Sequence, residues 1–346
     1  MKSIEIGDKS VGNGFKCFII AEAGVNHNGS VETAKKLINT AKKVGADAVK
    51  FQTFKTDSII TKQAPKAEYQ KISDNKSSQY EMIRKLELSE NEFIELSNYA
   101  KSKGIIFLSS PFDNESVELL DQIGISTFKL GSGEITNLPL IKNVAKKGNP
   151  IILSTGMASL CEIEEALKII KSKSIDVILM YCVTNYPASC SEIDLNIMKT
   201  LRNTFKVPVG FSDHTMGIEL SVAAVALGAC VIEKHFTLDR NLEGPDHKAS
   251  LEPENFKRMV DSIRNVEKGL GDGIKKISKD ELSIKQIVRK SIMAGRDIEK
   301  GETLKRDMLT IKRPETGIYP KYIDVIIGKK MKVSVQRDEP IKWNYL

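Results

Sequence analysis

The feature that most constrains the fold is a pattern that recurs along most of the chain. A short apolar run ends in polar residues, and an amphipathic helical stretch usually follows it. Eight such runs occur, at residues 18–24, 48–54, 105–111, 127–133, 151–156, 177–183, 207–214 and 230–236. Eight strand–helix units in succession predict an α/β fold of the (β/α)8 barrel type. A doubly wound sheet is the alternative, but no GxGxxG motif follows the first run.

The stretch after the first run illustrates the predicted helices. Ser30 can serve as the N-cap, and Gly45 ends the helix. Its apolar stripe consists of Val31, Ala34, Leu37, Ile38 and Ala41. The stretch 56–88 is longer than an ordinary strand–helix connection, and we expect it to pack over the barrel mouth as extra helical structure.

The pattern changes after residue 270. We expect a barrel domain over residues 1–272, a charged and extended linker over 273–286, and a small, mostly β domain over 287–346. About sixty residues form only a marginal core, so this last domain is expected to lean on another surface.

Composition excludes several classes of protein. The chain has 346 residues, of which 41% are hydrophobic, with a net charge of +7. No apolar run is long enough to span a membrane, and no signal peptide is recognisable, so we expect a cytoplasmic protein. The basic residues are not interleaved with aromatic ones, which argues against nucleic-acid binding. The five cysteines form no CxxC pair, and we expect reduced structural thiols.

The predicted strands end in polar residues, and barrel enzymes carry their chemistry at these ends. The residues are Glu22; Lys50 and Gln52; Ser109 and Ser110; Lys129, Ser132 and Glu134; Ser154 and Thr155; Thr184, Asn185 and Tyr186; Ser212, Asp213 and His214; and Glu233, Lys234 and His235. Side chains two apart share a face of a strand. Helix caps and solvated loops could account for single positions but not for the whole set, because buried unpaired Lys and Glu are costly.

Two histidines indicate a metal site. His214 and His235 close neighbouring strands, so their rings can face one point. Two imidazoles with nearby oxygen ligands suit a divalent ion such as Mn²⁺, with positions left for water and substrate. A single histidine would more often be a core or loop residue.

A second group of side chains suits an anion. Lys50 and Lys129, with Ser132, Ser154 and Ser212, form a cationic, hydroxyl-rich surface that fits a small phosphate-plus-carboxylate ligand such as phosphoenolpyruvate. No Walker loop is present, so nucleotide chemistry is not indicated.

Beyond these arguments, the chain resembles the sialic acid (nonulosonic acid) synthase family over nearly its full length. The matching stretches are AEAGVNHNG (21–29), VKFQTF (49–54), FLSSPFD (107–113), KLGSGEITNLPL (129–140), ILSTGMA (152–158), GFSDHTMG (210–217), EKHFTLD (233–239) and GPDHKASLEP (244–253). In the tail, KSIMAGRDIEKGE (290–302) and IKRPETG (311–317) look like the family's C-terminal antifreeze-like domain.

The resemblance implies a fold, an assembly and roles for individual residues. It implies a barrel joined to an antifreeze-like domain, in a domain-swapped homodimer. The implied metal ligands, for Mn²⁺ or Mg²⁺, are His214 and His235. The implied phosphoenolpyruvate ligands are Lys50, Ser110, Lys129, Ser132, Ser154 and Ser212. Glu22, Gln52, Tyr186 and Asp246 are implied to face the sugar and the reacting centre, and Arg313 to reach the sugar's acyl group from the partner chain.

Two places depart from the family pattern. The glycine–asparagine–glycine that usually follows the KRP motif reads Glu-Thr-Gly at 315–317. The ending of the sixth strand, with Thr184 and Tyr186, also lies where members vary. Both places could bear on the choice of sugar.

The expected reaction is the condensation of phosphoenolpyruvate with an amino-sugar aldehyde. The metal would polarise the aldehyde as a Lewis acid, carbon 3 of phosphoenolpyruvate would attack it, and C–O cleavage would release phosphate. Lys50 and Lys129 would offset the anionic charge, and either Glu22 or Glu134 would be the base toward water.

Several alternatives stay open at this point. N-acetylmannosamine is the first choice of sugar, 2,4-diacetamido-2,4,6-trideoxymannose (leading to legionaminic acid) is the second, and a 6-phosphorylated sugar is less favoured. A rival enzyme class is a Schiff-base aldolase using Lys129 or Lys234. A rival outside enzymes is a non-catalytic sugar- or ice-binding protein, which the tail alone would suggest.

Overall fold

The structure, a computed structural model, describes residues 3–65 and 78–346. The chain divides into two compact units, Met1–Gly271 and Asp272–Leu346. Among the described residues, no helix is long and apolar enough to cross a membrane.

The first unit is a barrel of parallel strands. Its strands are β3 (Phe18–Gly24), β4 (Ala48–Thr53), β5 (Ile106–Pro111), β6 (Phe128–Leu130), β7 (Ile151–Ser154), β8 (Val177–Tyr181), β9 (Val209–Asp213) and β10 (Val231–His235). They pair in the order β5-β4-β3-β10-β9-β8-β7-β6, and β5 and β6 lie side by side where the barrel closes. The predicted (β/α)8 architecture is therefore confirmed.

Helices connect the strands of the barrel. In chain order the main ones are Val31–Lys43, Glu90–Ser102, Asn114–Ile123, Leu138–Ala145, Leu160–Lys171, Ile197–Phe205, Glu219–Ala226 and Pro253–Leu270. The first begins as predicted, because the Ser30 side chain accepts a hydrogen bond from the Thr33 N–H and Gly45 follows with a φ of +88°. Several strands end earlier than predicted. The fourth barrel strand, β6, stops at Leu130, because Ser132–Glu134 forms a 3-10 turn.

The interior of the barrel is apolar at one end and polar at the other. At the amino ends of the strands, Phe18, Ile20, Ile152 and Ile178 pack in the barrel interior. The N-terminal hairpin of β1 (Ile4–Ile6) and β2 (Lys9–Val11) packs against this cluster, and the sequence analysis did not predict it. A larger apolar cluster lies between the strands and the surrounding helices. The polar end of the interior is therefore the carboxyl end of the strands.

The long connection after β4 contributes to the barrel mouth, as predicted for its described part. It contains the helices Thr56–Ile59 and Gln79–Arg84, and residues 66–77 of the predicted stretch lie outside the described residues. Val25, Phe54 and Leu86 form a buried apolar cluster at this end of the barrel.

The second unit has its own small core. Strands β11 (Ser291–Ala294) and β12 (Leu309–Lys312) are antiparallel, and short helices cover them at Arg306–Met308, Pro320–Tyr322 and Ile323–Ile326. Part of the expected extended linker is instead a helix, Lys279–Val288. The physical reason is a capping box, in which Ser278 and Glu281 satisfy each other's backbone N–H groups. The boundaries of the three predicted segments otherwise stay a prediction.

The five cysteines are all free thiols. Cys17, Cys182 and Cys230 are buried, whereas Cys161 and Cys190 are exposed. The expectation of unbridged cysteines therefore agrees with the structure.

Candidate active site

A buried network of charged side chains fills the barrel at the carboxyl ends of the strands. The Lys50 Nζ lies 2.7 Å from Glu22 Oε2 and 3.8 Å from Glu233 Oε2. The Lys129 Nζ lies 3.5 Å from Glu233 Oε1. All four residues are at most 5% exposed. Glu233 thus lies between two ammonium groups, and we call Glu22, Lys50, Lys129 and Glu233 the charged floor.

The two carboxyl groups of the charged floor differ in their acidity. Burial raises the pKa of Glu22, with Lys50 opposing the shift and Glu233 adding to it. Burial also acts on Glu233, but Lys129, Lys50 and the Ser212 hydroxyl outweigh it and lower the pKa of this carboxyl. Glu233 is therefore the fixed anion, and Glu22 is the carboxyl group poised to exchange a proton near neutral pH.

Serine hydroxyls surround the two lysines. The Lys50 Nζ donates to Ser110 Oγ at 3.1 Å, and the Lys129 Nζ donates to Ser154 Oγ at 2.7 Å. The Ser212 Oγ donates to Glu233 Oε1 at 3.0 Å. These contacts bring together five of the six residues expected to bind phosphoenolpyruvate, because parallel strands in a barrel place their carboxyl ends at one point.

The histidine pair lies beside this floor. The ring centroids of His214 and His235 are 5.6 Å apart, and the Tyr186 ring lies 4.2 Å from that of His214. Burial lowers the pKa of both imidazoles, so both rings are neutral at pH 7. The His214 Nδ1 contacts the Val183 carbonyl oxygen at 2.6 Å, which makes Nδ1 the donor and leaves the lone pair on Nε2.

The family resemblance implies a metal here, and the histidines fit one. The His235 Nδ1 is buried without a hydrogen-bond partner among the described residues, and the Asp246 Oδ2 lies 3.9 Å from it. Within the described ranges, however, no group of three or more His, Cys, Asp or Glu side chains is arranged as a complete metal site. The protein would therefore supply the two imidazoles, and substrate and water oxygens would supply the other ligands of a divalent ion.

Ser132 and Thr184 lie together on the β6–β8 side of the site. The Ser132 Oγ accepts a hydrogen bond from the Gly156 N–H at 3.0 Å and contacts Cys182 Sγ at 3.1 Å. A Cβ added at Gly156 would lie 2.3 Å from Thr184 Oγ1, so only glycine allows this approach. The Thr184 Oγ1 is buried without a hydrogen-bond partner in the described part of the chain, which leaves a hydroxyl for a ligand.

A cavity of about 540 Å³ opens beside His235. Its polar lining residues include Gln52, Thr184, Tyr186, His235 and Asp246. The Gln52 Nε2 donates to Glu22 Oε1 at 3.4 Å, which connects the cavity to the charged floor. Burial raises the pKa of Asp246 to about 6. The size of the cavity is within the range that binds small-molecule ligands.

Some predicted site residues lie apart from this cluster. The side chain of Glu134 is half-buried and accepts a hydrogen bond from Asn137 Nδ2 at 2.7 Å. Arg313 is exposed in the second unit. Lys234, a candidate for a Schiff base, is held by Asp213 Oδ2 at 2.8 Å and by the Thr215 carbonyl oxygen at 2.6 Å. This lysine is not part of the charged floor.

Glu233 and the apolar lining of the cavity had no predicted role. Glu233 was visible in the sequence as the residue two before His235, on the same strand face. The apolar lining comes from residues far apart in the chain, such as Val25, Phe54 and Leu86, so no local pattern indicates it.

Comparison with known proteins agrees with this geometry. A model of the NeuB family matches residues 37–275, and a SAF domain model matches residues 289–346. The N,N'-diacetyllegionaminic acid synthase of Campylobacter jejuni is 52% identical, with 94% of this chain and 99% of that protein covered. The synthase of the same name from Legionella pneumophila is 47% identical, with 98% and 97% covered.

A solved structure shows the same fold and family. The N-acetylneuraminic acid (sialic acid) synthetase of Leptospira borgpetersenii, solved in complex with citrate, is 34% identical and superposes with a TM-score of 0.73. The match covers 82% of this chain and 95% of that one. The chain therefore belongs to the NeuB family, and it is an enzyme of the phosphoenolpyruvate-using, condensing type that this family contains.

Proposed function

We propose that the protein condenses phosphoenolpyruvate with the open-chain aldehyde of an N-acyl amino sugar and releases inorganic phosphate. The observation that carries the proposal is the charged floor, where two buried lysines with serine hydroxyls lie next to a pair of neutral histidines. A small dianion fits the lysines and serines, because charge-assisted hydrogen bonds are strong in a buried site.

The residues of the charged floor and their neighbours suit each part of the reaction. Carbon 3 of phosphoenolpyruvate attacks the aldehyde carbon, water adds at carbon 2, and cleavage of the C–O bond expels phosphate. Lys50 and Lys129 hold the carboxylate and phosphate, and Ser110, Ser132, Ser154 and Ser212 orient them. A divalent ion on His214 and His235, when bound, would supply Lewis-acid polarisation of the aldehyde oxygen.

Glu22 is better supported than Glu134 as the base toward water. It is buried in the charged floor, its Oε2 contacts Lys50, and its pKa is raised toward neutrality. An acid–base group works best when its pKa is close to the working pH. Glu134 is instead half-buried and held by Asn137. Gln52, Thr184, Tyr186 and Asp246 line the cavity where the sugar would bind.

Two sugars are candidates for the acceptor. N-acetylmannosamine, which would make the enzyme an N-acetylneuraminate synthase, is the first choice from the sequence. The second, 2,4-diacetamido-2,4,6-trideoxymannose, is supported by the 52% and 47% identity to two proteins named N,N'-diacetyllegionaminic acid synthase.

We also propose a homodimer in which Arg313 completes the sugar site of the opposite chain. The support lies in the helix Lys279–Val288, which has no buried residue and carries the exposed apolar side chains Leu282, Ile284 and Ile287. Such an apolar surface usually contacts another protein surface. The cytoplasmic location stays a prediction from the sequence.

The test of the proposed reaction is the fate of the bridging oxygen of phosphoenolpyruvate. We expect phosphate release that depends on an amino-sugar aldehyde, and we expect ¹⁸O placed in the C–O–P bridge to leave with the phosphate. Label retained in the sugar acid would contradict C–O cleavage. Borohydride with pyruvate should not trap a covalent adduct, whereas a Schiff-base aldolase would be trapped on Lys129.

A further inference from the structure

A further buried ion pair lies outside the charged floor, and the proposed reaction does not use it. The Lys234 Nζ lies 2.8 Å from Asp213 Oδ2, and both residues are 1% exposed. The two residues are register partners on the neighbouring parallel strands β9 and β10. The pair lies on the outer face of these strands, because Phe211 and Ile232, two residues before each partner, belong to the apolar cluster between strands and helices.

This ion pair fixes the residue that follows His214. The Asp213 Oδ1 accepts hydrogen bonds from the Thr215 N–H at 2.9 Å and from Thr215 Oγ1 at 2.7 Å. The Lys234 Nζ donates to the Thr215 carbonyl oxygen at 2.6 Å. The backbone of Thr215 is therefore held by the ion pair at both its N–H and its C=O, and its side chain is held as well.

Other contacts complete the anchoring of this turn. Ser221, on the helix Glu219–Ala226, donates to Asp213 Oδ2 at 2.6 Å. The Asp213 carboxylate thus contacts Lys234, Ser221 and two groups of Thr215, which fills the acceptor positions of its two oxygens. The His214 carbonyl oxygen accepts a hydrogen bond from the Ala188 N–H at 2.9 Å. The turn is therefore a rigid support for the side chain of His214.

The ion pair connects the chain neighbours of both histidines. Asp213 immediately precedes His214, and Lys234 immediately precedes His235. Successive side chains of extended backbone point to opposite faces, so the pair lies behind the two imidazoles, whose ring centroids are 5.6 Å apart. Side chains that must contact one ion need supporting groups that hold them in a fixed relative position.

Stability alone does not explain a buried ion pair. Replacing such a pair by apolar side chains of similar volume is often neutral for stability or increases it. We propose that Lys234 and Asp213 are positioning residues, whose pair fixes the turn of His214 against the strand of His235 so that both imidazoles can bind one divalent ion. The inference rests on the proposed function, in which the two histidines hold this ion, and it gives Lys234 a role other than that of a Schiff base.

The test removes the ion pair without leaving a buried charge unpaired. In the double variant Lys234→Met with Asp213→Asn, an amide oxygen can still accept from the Thr215 N–H, but the ionic contact between the strands is lost. Electron paramagnetic resonance measures Mn²⁺ binding with phosphoenolpyruvate present and the sugar absent, so that no turnover occurs. We expect the Kd for Mn²⁺ to rise at least about tenfold, the usual cost of losing a group that orients metal ligands. At saturating Mn²⁺, the KM for phosphoenolpyruvate should stay close to the wild-type value.

A matched control removes an ion pair at the other end of the barrel. The Arg264 Nη2 lies 3.0 Å from Asp47 Oδ2, just before the start of β4. Asp47 keeps a second cation when Arg264 is replaced, because the Lys9 Nζ lies 2.6 Å from its Oδ1. Arg264→Met should lower the Tm and keep the wild-type affinity for Mn²⁺, which separates loss of position from loss of stability. Thr215→Val, which removes one hydrogen bond of the turn, should raise the Kd less and serves as a second variant in case the double variant does not fold.

The outcomes separate this inference from the proposed reaction. A wild-type Kd for Mn²⁺ in whichever of these turn variants folds would overturn the positioning role, while phosphate release by the wild-type enzyme upholds the condensation. A crystal structure of the double variant with the ring centroids still 5.6 Å apart would overturn it as well. If the variant binds Mn²⁺ weakly but the wild-type enzyme releases no phosphate with any amino sugar, the positioning role stands and the proposed reaction is wrong. Absence of Mn²⁺ binding to the wild-type protein would overturn both the metal site and its positioning.

Discussion

The Lys50 Nζ lies 2.7 Å from Glu22 Oε2, and both side chains are almost completely buried. A buried ion pair of this kind is costly to form and is strongly destabilised when one partner is lost. The pair lies at the polar end of the barrel, which is where the proposed reaction takes place. In the proposed reaction the pair would supply a cation for the anionic substrate and a carboxyl group that exchanges a proton.

We therefore expect Glu22→Gln to lower kcat about a hundredfold or more, the usual contribution of a general base. Glu134→Gln should lower it much less, because Glu134 is half-buried and held by Asn137. The measurement is steady-state phosphate release, with circular dichroism as the check on folding. A larger loss of kcat in Glu134→Gln than in Glu22→Gln would reverse the assignment.

Removing either lysine should weaken phosphoenolpyruvate binding more than sugar binding. A lost hydrogen bond to a charged group contributes about 1.5–3 kcal/mol, which is roughly a ten- to hundredfold loss in kcat/KM for phosphoenolpyruvate. The variants are Lys50→Ala and Lys129→Ala. Lys168→Ala is the control, because its side chain is 68% exposed on the outer helix Leu160–Lys171. Wild-type kinetics in both floor variants would reject the assignment.

Activity should depend on a divalent metal held by His214 and His235. We expect chelation to inactivate the enzyme and Mn²⁺ or Mg²⁺ to restore it. His214→Ala and His235→Ala should each abolish activity and leave the Tm close to that of the wild type, because His235 lines the open cavity and the His214 ring lies 5.6 Å from it. Binding of Mn²⁺ can be followed separately by electron paramagnetic resonance. Full activity after exhaustive chelation would show that no metal is needed.

His27 should make the protein less stable in acid. Burial lowers its pKa to about 4, from about 6.5 in the unfolded chain. Above pH 6.5 both states carry the neutral ring. Between pH 6.5 and 4 only the unfolded state takes up the proton, so the free energy of unfolding falls as the pH falls, by up to about 3 kcal/mol.

Urea unfolding at pH 7 and pH 4.5 measures this effect. The His27→Asn variant keeps an acceptor for the Gly29 N–H, which His27 Nδ1 accepts at 3.0 Å. All other titrating groups contribute equally to the stability of the two proteins. The variant should therefore lose less stability than the wild type between the two pH values. An equal loss in both proteins would mean that His27 does not titrate differently in the folded state.

The proposed exchange of the second unit can be tested by complementation. In a swapped dimer, a heterodimer of Lys129→Ala and Arg313→Ala chains has one site with both defects and one site with neither. Co-folded heterodimers should then recover about half the wild-type rate, because a two-fold dimer has two equivalent sites. If each tail serves its own barrel, every site keeps one defect and verified heterodimers stay inactive.

Two local patterns could be predicted from the sequence: apolar runs that end in polar residues, and side chains that alternate between the two faces of a strand. The eight apolar runs match the eight barrel strands, and their polar ends contain most of the cluster around the charged floor. His214 and His235 were expected close together because they end neighbouring strands, and their ring centroids lie 5.6 Å apart. These features were predictable because strand periodicity and the burial of apolar side chains act over a few residues.

The alternation of side chains along a strand did not by itself determine which face of the strand points into the barrel. Lys234 was a candidate for chemistry, but it lies on the strand face opposite Glu233 and His235 and pairs with Asp213. Glu233 and not Lys234 joins the charged floor, because only its face meets the ammonium groups that Lys50 and Lys129 bring from other strands. A buried charge is tolerated where a partner neutralises it, and that partner comes from the tertiary structure.

Only the tertiary structure decided the shape of the cavity beside His235. Its apolar lining combines Val25, Phe54 and Phe112, which follow three different strands, with Ile83 from the helix Gln79–Arg84. In the sequence these are ordinary apolar positions, with no local pattern that links them. They become a binding surface because parallel strands in a closed barrel bring all their carboxyl ends to one mouth. The amino acid sequence by itself therefore determined the barrel and its polar end, and packing between distant segments decided which side chains a substrate can touch.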